Sequence, residues 1–280
     1  MLSYLVLFIF AFLIGTLSAA SYFDARTREV PDFISYLLII GGILLNLFLA
    51  VSTGSISSLE FLPLSVAVLF GFSYLMYVSG QWAGGDVKLM LGLAMLFTAI
   101  DISNSFSFAN LFVNILIFGG LYGLVGTIIF GMIKFKELKR FLHLYDIGII
   151  TCGAAIVLLV LYLLPIPINY LAAFAIALLV SMRYIYVIAE NLMFVDVHVD
   201  RLTEGDWLAQ DVVDDKGKTV VPKRNTGLMQ GDIDKLKRST VKSVLVKIGM
   251  PFVPGILIGT IITLFFGNPL LQLLLSNIFV

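Results

Sequence analysis

The chain has 280 residues with a formal net charge of zero, and only 13% of its residues are charged whereas 60% are apolar. Its mean hydropathy of +1.03 excludes a water-soluble globular protein, which needs a more highly charged surface. The sequence contains no basic run dense enough to bind nucleic acid. The composition therefore predicts a protein that crosses a membrane several times, with the lipid bilayer as a partner.

Apolar runs long enough to cross a hydrocarbon core of ~30 Å at ~1.5 Å per residue predict about eight transmembrane helices. These predicted spans lie near residues 2–23, 33–51, 59–79, 87–100, 108–133, 147–164, 167–189 and 250–276. The first run resembles the apolar part of a secretory signal but lacks its basic leading segment, so we expect a retained helix. The expected fold class is an α-helical polytopic membrane protein.

The basic residues are confined to alternate connections. All 18 lysines and arginines lie in the first, third, fifth or seventh connection between these spans, or at the immediate helix borders. Short loops rich in Lys and Arg stay in the cytoplasm. The residues that decide the orientation are Arg26, Arg28, Lys134, Lys136, Lys139 and Arg140. We therefore expect a multi-pass protein of the cell membrane, with these connections in the cytoplasm and both termini outside.

Residues 190–249 hold most of the charged side chains and differ in pattern from the rest of the chain. Valines at every second position from Val195 to Val199 predict a half-buried strand. Further predicted elements are a hairpin between Trp207–Val213 and Thr219–Val221 with its turn at 214–217, a helix over Asp232–Arg238, and a strand over Val241–Ile248. The sequence thus predicts three parts. They are a transmembrane domain (1–189), a small α+β cytoplasmic module inserted before the last helix (190–249), and a C-terminal transmembrane helix (250–280).

Two aspartates stand beside apolar segments on the same predicted side of the membrane. Asp24 follows the first span, and Asp86 follows Gly84 and Gly85 at the start of the fourth. An ionisable group near hydrocarbon costs several kcal/mol, so such a carboxylate indicates a functional site. Because glycine has no side chain, the two glycines let the backbone turn sharply and let another backbone approach closely.

The chemistry of paired carboxyls leaves three interpretations open. Two carboxyls in close contact share a proton, so that one acts as a general base and the other as a general acid. Such a pair activates water against a peptide carbonyl, which predicts an aspartic endopeptidase. Paired acids near a broken helix also suit an ion- or proton-coupled transporter or channel that uses Asp24 and Asp86. A third interpretation is a non-catalytic assembly protein whose 190–249 module binds a partner.

Two stretches carry a family likeness, DARTREVPD from Asp24 to Asp32 and GGDVKL from Gly84 to Leu89. In this order they resemble the motifs of type IV prepilin peptidases, and most closely those of the archaeal preflagellin and prepilin peptidases. The resemblance implies a GxGD-type membrane aspartic protease with Asp24 and Asp86 as the catalytic pair. It also implies that Gly84, Gly85 and Lys88 shape and charge the second motif. The implied substrate is a membrane-held pilin-like or archaellin precursor whose short basic leader is removed at the cytoplasmic face.

The chain departs from the family pattern at two points. Ala83 stands where the GxGD signature has glycine, and Cys152 is the single cysteine. Relatives that also methylate the mature N-terminus carry paired cysteines in a cytoplasmic loop, so methylation is not implied. One cysteine excludes an internal disulfide. His143 and His198 are far apart in the sequence, so no metal site and no cofactor are expected.

The other charged residues near the two motifs are assigned structural roles. Arg26, Arg28 and Lys88 are interpreted as determinants of membrane orientation. Asp32 and Asp101 are interpreted as acids at the membrane boundary. The sequence therefore places the expected chemistry on Asp24 and Asp86.

Overall fold

The computed structural model describes residues 2–100, 107–141, 144–163, 176–177, 182, 184–189, 191–215 and 217–269. The predicted features at Asp101 and His143, and most of the predicted span 167–189, lie outside these ranges. The helices are α1 (Leu2–Thr27), α2 (Asp32–Thr53), α3 (Ser57–Val78), α4 (Gly84–Ile100), α5 (Ser107–Asn114), a π-helical turn (Ile115–Gly119), α6 (Gly120–Ile133), α7 (Phe135–Leu138), α8 (Leu144–Leu163), α9 (Gln230–Lys237) and α10 (Val253–Phe266). Within the described ranges the chain is mostly helical, with a small sheet region.

In the part of the chain that the structure describes, four helical stretches are long and apolar enough to cross a membrane. They are Leu7–Thr27, Asp32–Thr53, Leu59–Val78 and Phe108–Ile133. The apolar stretches Gly148–Leu163 and Val253–Phe266 are shorter, and the 17 residues of α4 span ~26 Å at ~1.5 Å per residue. The chain is therefore a multi-pass membrane protein, and the count of eight spans stays a prediction.

Helix α2 shows the outward apolar face that a lipid environment requires. Phe33, Leu37, Ile40, Leu44 and Leu47 are all exposed and recur at intervals of three and four residues. Residues at this spacing share one face of a helix. A bare apolar stripe of this length is favourable in hydrocarbon and costly in water, so this side of α2 faces lipid.

Helix α4 is largely buried and packs closely against α2 and α3. A Cβ atom added to Gly92 would lie 2.6 Å from the Leu38 Cβ, and one added to Gly42 would lie 2.7 Å from the Met95 Cβ. The Asn46 side chain donates to the Met95 carbonyl over 2.7 Å. Small residues and interhelical hydrogen bonds of this kind hold helices together in lipid, where no hydrophobic driving force favours their association. They fix the start of α4 relative to the start of α2.

Helix α10 packs against α1 and against the π-helical turn. A Cβ atom on Gly255 would lie 2.9 Å from the Gly119 Cα, and one on Gly259 would lie 2.8 Å from the Ile115 Cα. The Asn114 side chain donates to the Thr263 hydroxyl over 3.0 Å. This close packing brings the beginning of the last helix to the end of the first.

The polar module, residues 191–249, has its own core. Strands β1 (Phe194–His198), β2 (Trp207–Leu208) and β5 (Ser243–Lys247) form an antiparallel sheet in the order β1-β5-β2, and β3 (Val212–Val213) pairs with β4 (Thr219–Val221). Buried apolar side chains from the strands and from α9 fill the space between them, among them Leu208, Val221, Leu236, Val244 and Val246.

The predicted strands around 195–199 and 241–248 and the predicted helix around 232–238 are present. The stretch 207–213, predicted as one hairpin strand, is divided in two. Leu208 pairs with Val246 across β5, whereas Val212 pairs with Val221. The stretch divides because two of its side chains are buried in the module core from different sheets. Leu208 reaches the core from the three-stranded sheet, and Val212 reaches it from the β3–β4 pair.

Candidate active site

Asp24 lies in the last turn of α1, and its side chain is buried, with 7% exposure. The helix ends at Thr27, after which the Arg28 backbone adopts φ 63° and its N–H donates to the Asp24 carbonyl over 3.0 Å. Among the residues that the structure describes, Arg28 is the one non-glycine residue with positive φ. A left-handed residue of this kind ends a helix, and glycine is usual there because other residues are strained.

The Asp24 carboxylate binds the beginning of α10. Its Oδ2 accepts the Val253 backbone N–H over 2.9 Å, and the Phe252 backbone N–H also donates to this side chain. The first N–H groups of a helix have no partner inside it, and its N-terminus favours a negative charge. Asp24 is therefore a side-chain cap for a helix that begins 229 residues later.

Asp86 lies in the first turn of α4 and is also buried, with 6% exposure. Its Oδ2 accepts the Ala83 backbone N–H over 2.9 Å, and its own N–H donates to the Ala83 carbonyl over 3.1 Å. This is the reciprocal pattern of a carboxylate that closes the start of its own helix. Each aspartate is thus held at a helix N-terminus, Asp24 at that of α10 and Asp86 at that of α4.

The two glycines before Asp86 lie in different surroundings. A Cβ atom on Gly85 would lie 3.2 Å from the Val30 Cβ, whereas one on Gly84 would lie 3.9 Å from the Tyr77 ring. The first distance is tighter than ordinary contact and the second is not. Gly85 therefore lets the second motif lie directly against the first.

Both aspartates line one cavity of about 710 Å³, together with Gly84, Gly85 and Lys88. The structure thus brings together all five residues that the sequence selected. The Asp24 carboxylate acts electrostatically on Asp86, as expected for acids that share a chamber. A volume of this size accommodates a ligand of several hundred Å³, so a segment of peptide fits beside the two carboxyls.

Lys88 forms an ion pair with Asp32 over 2.5 Å, and the two side chains are 41% and 56% exposed. Asp32 begins α2 and also lines the cavity. The sequence assigned Asp32 to the membrane boundary, whereas the structure places it in the cavity wall. The ion pair connects the second motif to the end of the first.

Another part of the cavity wall comes from the polar module. Its lining residues include Arg201, Glu204, Asp206, Trp207, Thr226, Met229 and Lys247. The Tyr77 hydroxyl lies 3.5 Å from the Thr226 carbonyl oxygen, and a Cβ atom on Gly80 would lie 3.2 Å from the Asn225 Cβ. The loop between α3 and α4 therefore supports both the second motif and the module.

Sequence reasoning did not predict that the junction between the module and α10 contributes to the site. The Phe252 ring packs on the buried Trp82 with their centroids 4.8 Å apart, and Phe252 lines the cavity. Pro254 was the available signal. Proline in the first turn marks a helix start whose free N–H groups need an acceptor. The amino-acid sequence around Pro254 does not reveal that Asp24 is this acceptor.

Within the described ranges, no group of three or more His, Cys, Asp or Glu side chains could hold a metal ion. The carboxylates of the cavity are held by backbone N–H groups and by basic side chains. The expectation of a site without metal or cofactor stays a prediction.

The fold and the cavity define a multi-pass membrane protein with two buried carboxyls at the end of the helices where the polar module lies. The family model for type IV leader peptidases matches residues 11–181, which include both aspartate motifs. The chain belongs to this family, as its resemblance predicted. No curated protein and no solved structure matches the chain. Family membership favours the peptidase interpretation over the transporter and the assembly protein.

Proposed function

We propose that this protein is an aspartic endopeptidase that removes the short basic leader of pilin-like or archaellin precursors at the cytoplasmic face of the membrane. The observation that carries this proposal is the position of Asp24 and Asp86, which come from separate helices yet are both buried on one cavity. The match to the leader peptidase family supports the peptidase activity.

The two aspartates have different surroundings, which suggests different roles. Burial of Asp24 disfavours its ionised form, whereas the two backbone N–H groups that it accepts and the nearby Arg28 cation favour that form. Asp86 is buried beside that negative charge, so it holds the shared proton. Asp24 then takes a proton from water as the hydroxyl attacks the scissile carbonyl, and Asp86 donates its proton to the departing amine.

The cavity fits an extended leader better than a folded substrate. It is open between the membrane helices and the polar module, and Gly84, where an added Cβ would meet only the Tyr77 ring at 3.9 Å, leaves room for a second backbone beside Asp86. Six acidic and four basic side chains line it, a balance that favours a basic peptide. The precursor's apolar helix would stay in the bilayer, with the scissile bond at its start. The segregation of Lys and Arg supports a cytoplasmic position for this site.

The test is cleavage of a synthetic leader–helix substrate by purified protein in detergent. Asp24→Asn and Asp86→Asn should each lower kcat by at least about 10³-fold, and the double variant should be no worse, because groups that act as a unit are not additive. Asp196 supplies the matched control, since it is an exposed carboxylate on β1 outside the cavity lining. Asp196→Asn should cleave normally.

Two further arms separate the alternatives. Cleavage should persist in EDTA, because the proposed chemistry uses activated water and two carboxyls. Substantial cleavage by the Asp86→Asn protein would refute the aspartic protease mechanism. If no leader is cleaved and liposomes containing the wild-type protein conduct ions, the transporter interpretation returns.

A further inference from the structure

Arg28 combines a strained backbone with a long-range contact. Its φ of 63° lies in the left-handed region, where a residue with a side chain is strained relative to glycine. Its guanidinium donates to the Gly249 carbonyl, in the junction between β5 and α10, and it also lines the cavity. Strained backbone conformations of this kind cluster at active sites, where they are retained for a functional role.

We propose that Arg28 is a positioning residue that holds the Gly249–Val253 junction against Asp24 and so fixes the carboxylate of the first motif. This proposal rests on the proposed function and deepens it. The carboxylate of Asp24 and the guanidinium of Arg28 bind two ends of the same short junction, one at Val253 and one at Gly249. The two contacts together clamp the junction to the end of α1.

The geometry explains why arginine serves at this position. Because the Arg28 N–H is bonded to the Asp24 carbonyl, the left-handed turn directs the chain back towards its own helix end. A planar guanidinium has five donors in a fixed arrangement, so it can hold a carbonyl and still face a carboxylate. Glycine would adopt this backbone without strain but would leave the Gly249 carbonyl without this donor.

Among the described residues, the groups that interact electrostatically with Asp24 come from three parts of the chain. Arg28 directly follows α1, Asp86 lies on α4, and the Tyr122 hydroxyl lies on α6. Lys88, the nearby cation of α4, is paired with Asp32. Arg28 is thus the cation that favours the ionised carboxylate of Asp24. Without it, Asp24 should take up a proton more easily.

The experiment compares Arg28→Gly, Arg28→Gln and Arg28→Lys with the matched control Arg26→Gln. Arg26 is an exposed arginine of the same helix end, bonded to the Tyr22 hydroxyl. Arg28→Gly removes the side chain and relieves the strain, so its melting temperature should not fall. Its kcat should nevertheless drop by about tenfold to 100-fold through misplacement of Asp24, with KM unchanged.

The pH dependence gives a readout that a merely structural role would not move. In Arg28→Gly and Arg28→Gln the acid limb of the rate profile should move upward by about one pH unit, because the cation that favours the ionised base is gone. Arg28→Lys should restore the position of this limb and part of kcat. Unchanged kcat and an unchanged profile in Arg28→Gly would overturn the proposal, as would a loss confined to KM.

Hydrogen exchange tests the clamp without relying on cleavage. Backbone amides in the peptide covering 249–253 should exchange faster in Arg28→Gly than in wild type and Arg26→Gln, because local opening becomes easier. Equal exchange in all three would overturn the clamp even if the enzyme is active. An inactive wild type with faster exchange in Arg28→Gly would instead contradict the proposed function and leave the clamp supported.

Discussion

Gly92→Ala is expected to lower catalytic activity from a position that does not line the cavity. The new Cβ would lie 2.6 Å from the Leu38 Cβ and 3.3 Å from the Ile39 nitrogen. Carbon atoms prefer a separation of about 3.5–4.0 Å, so α2 and α4 must separate locally by about 1 Å. Overpacking of this kind costs about 1–3 kcal/mol.

The displacement should reach the site because α2 begins at Asp32, the last residue of the first motif, and α4 begins at the second motif. A shift of about 1 Å between reacting groups can lower a rate by about 100-fold, so we expect kcat to fall by about tenfold to 100-fold. The melting temperature should fall by about 2–4 °C for each kcal/mol.

The matched control is Gly71→Ala, on α3, where an added Cβ would meet no atom within 4 Å. Both variants gain the same helix preference for alanine, about 0.5–1 kcal/mol, so their difference isolates the packing at α2 and α4. Two quantities are measured. Thermal unfolding in detergent is monitored by fluorescence-detected size exclusion, and kcat is measured on a leader–helix substrate. If Gly92→Ala and Gly71→Ala unfold at the same temperature and cleave equally fast, the argument from close packing is refuted.

Two further predictions concern the cavity rim and the orientation of the chain. Lys88→Gln and Asp32→Asn should each lower the free energy of unfolding by less than about 1 kcal/mol, because both side chains of the pair are well exposed. The rate of cleavage should fall less than about tenfold, which corresponds to about 1.4 kcal/mol. Urea unfolding and kcat/KM measure these two effects, and a loss of activity near that of Asp86→Asn would show that the pair takes part in the chemistry. In a Cys152→Ser background, a cysteine at Ser55 should react with an impermeant thiol reagent outside intact cells and one at Lys139 should not; the reverse labelling would place the site on the wrong side for leader cleavage.

Sequence patterns were sufficient for the features that depend on local composition and spacing. Long apolar runs predicted a multi-pass membrane protein, because burial in lipid requires each span to be apolar along its length. Alternating valines predicted β1, since residues two apart share one face of a strand. The stretches around Asp24 and Asp86 predicted the leader peptidase family, which the match over residues 11–181 confirmed.

The tertiary structure decided how these parts meet. The partner of Asp24 is the start of α10, the partner of Arg28 is Gly249, and the polar module forms one wall of the cavity. Arg28 illustrates the difference, because its charge suggested a role in orientation, whereas its left-handed backbone and its carbonyl partner appear only in the folded chain. Hydropathy and periodicity record whether a residue is buried, but they carry no information on which distant helix end it satisfies. That choice depends on close packing between helices and on free N–H groups that must find an acceptor where water is excluded.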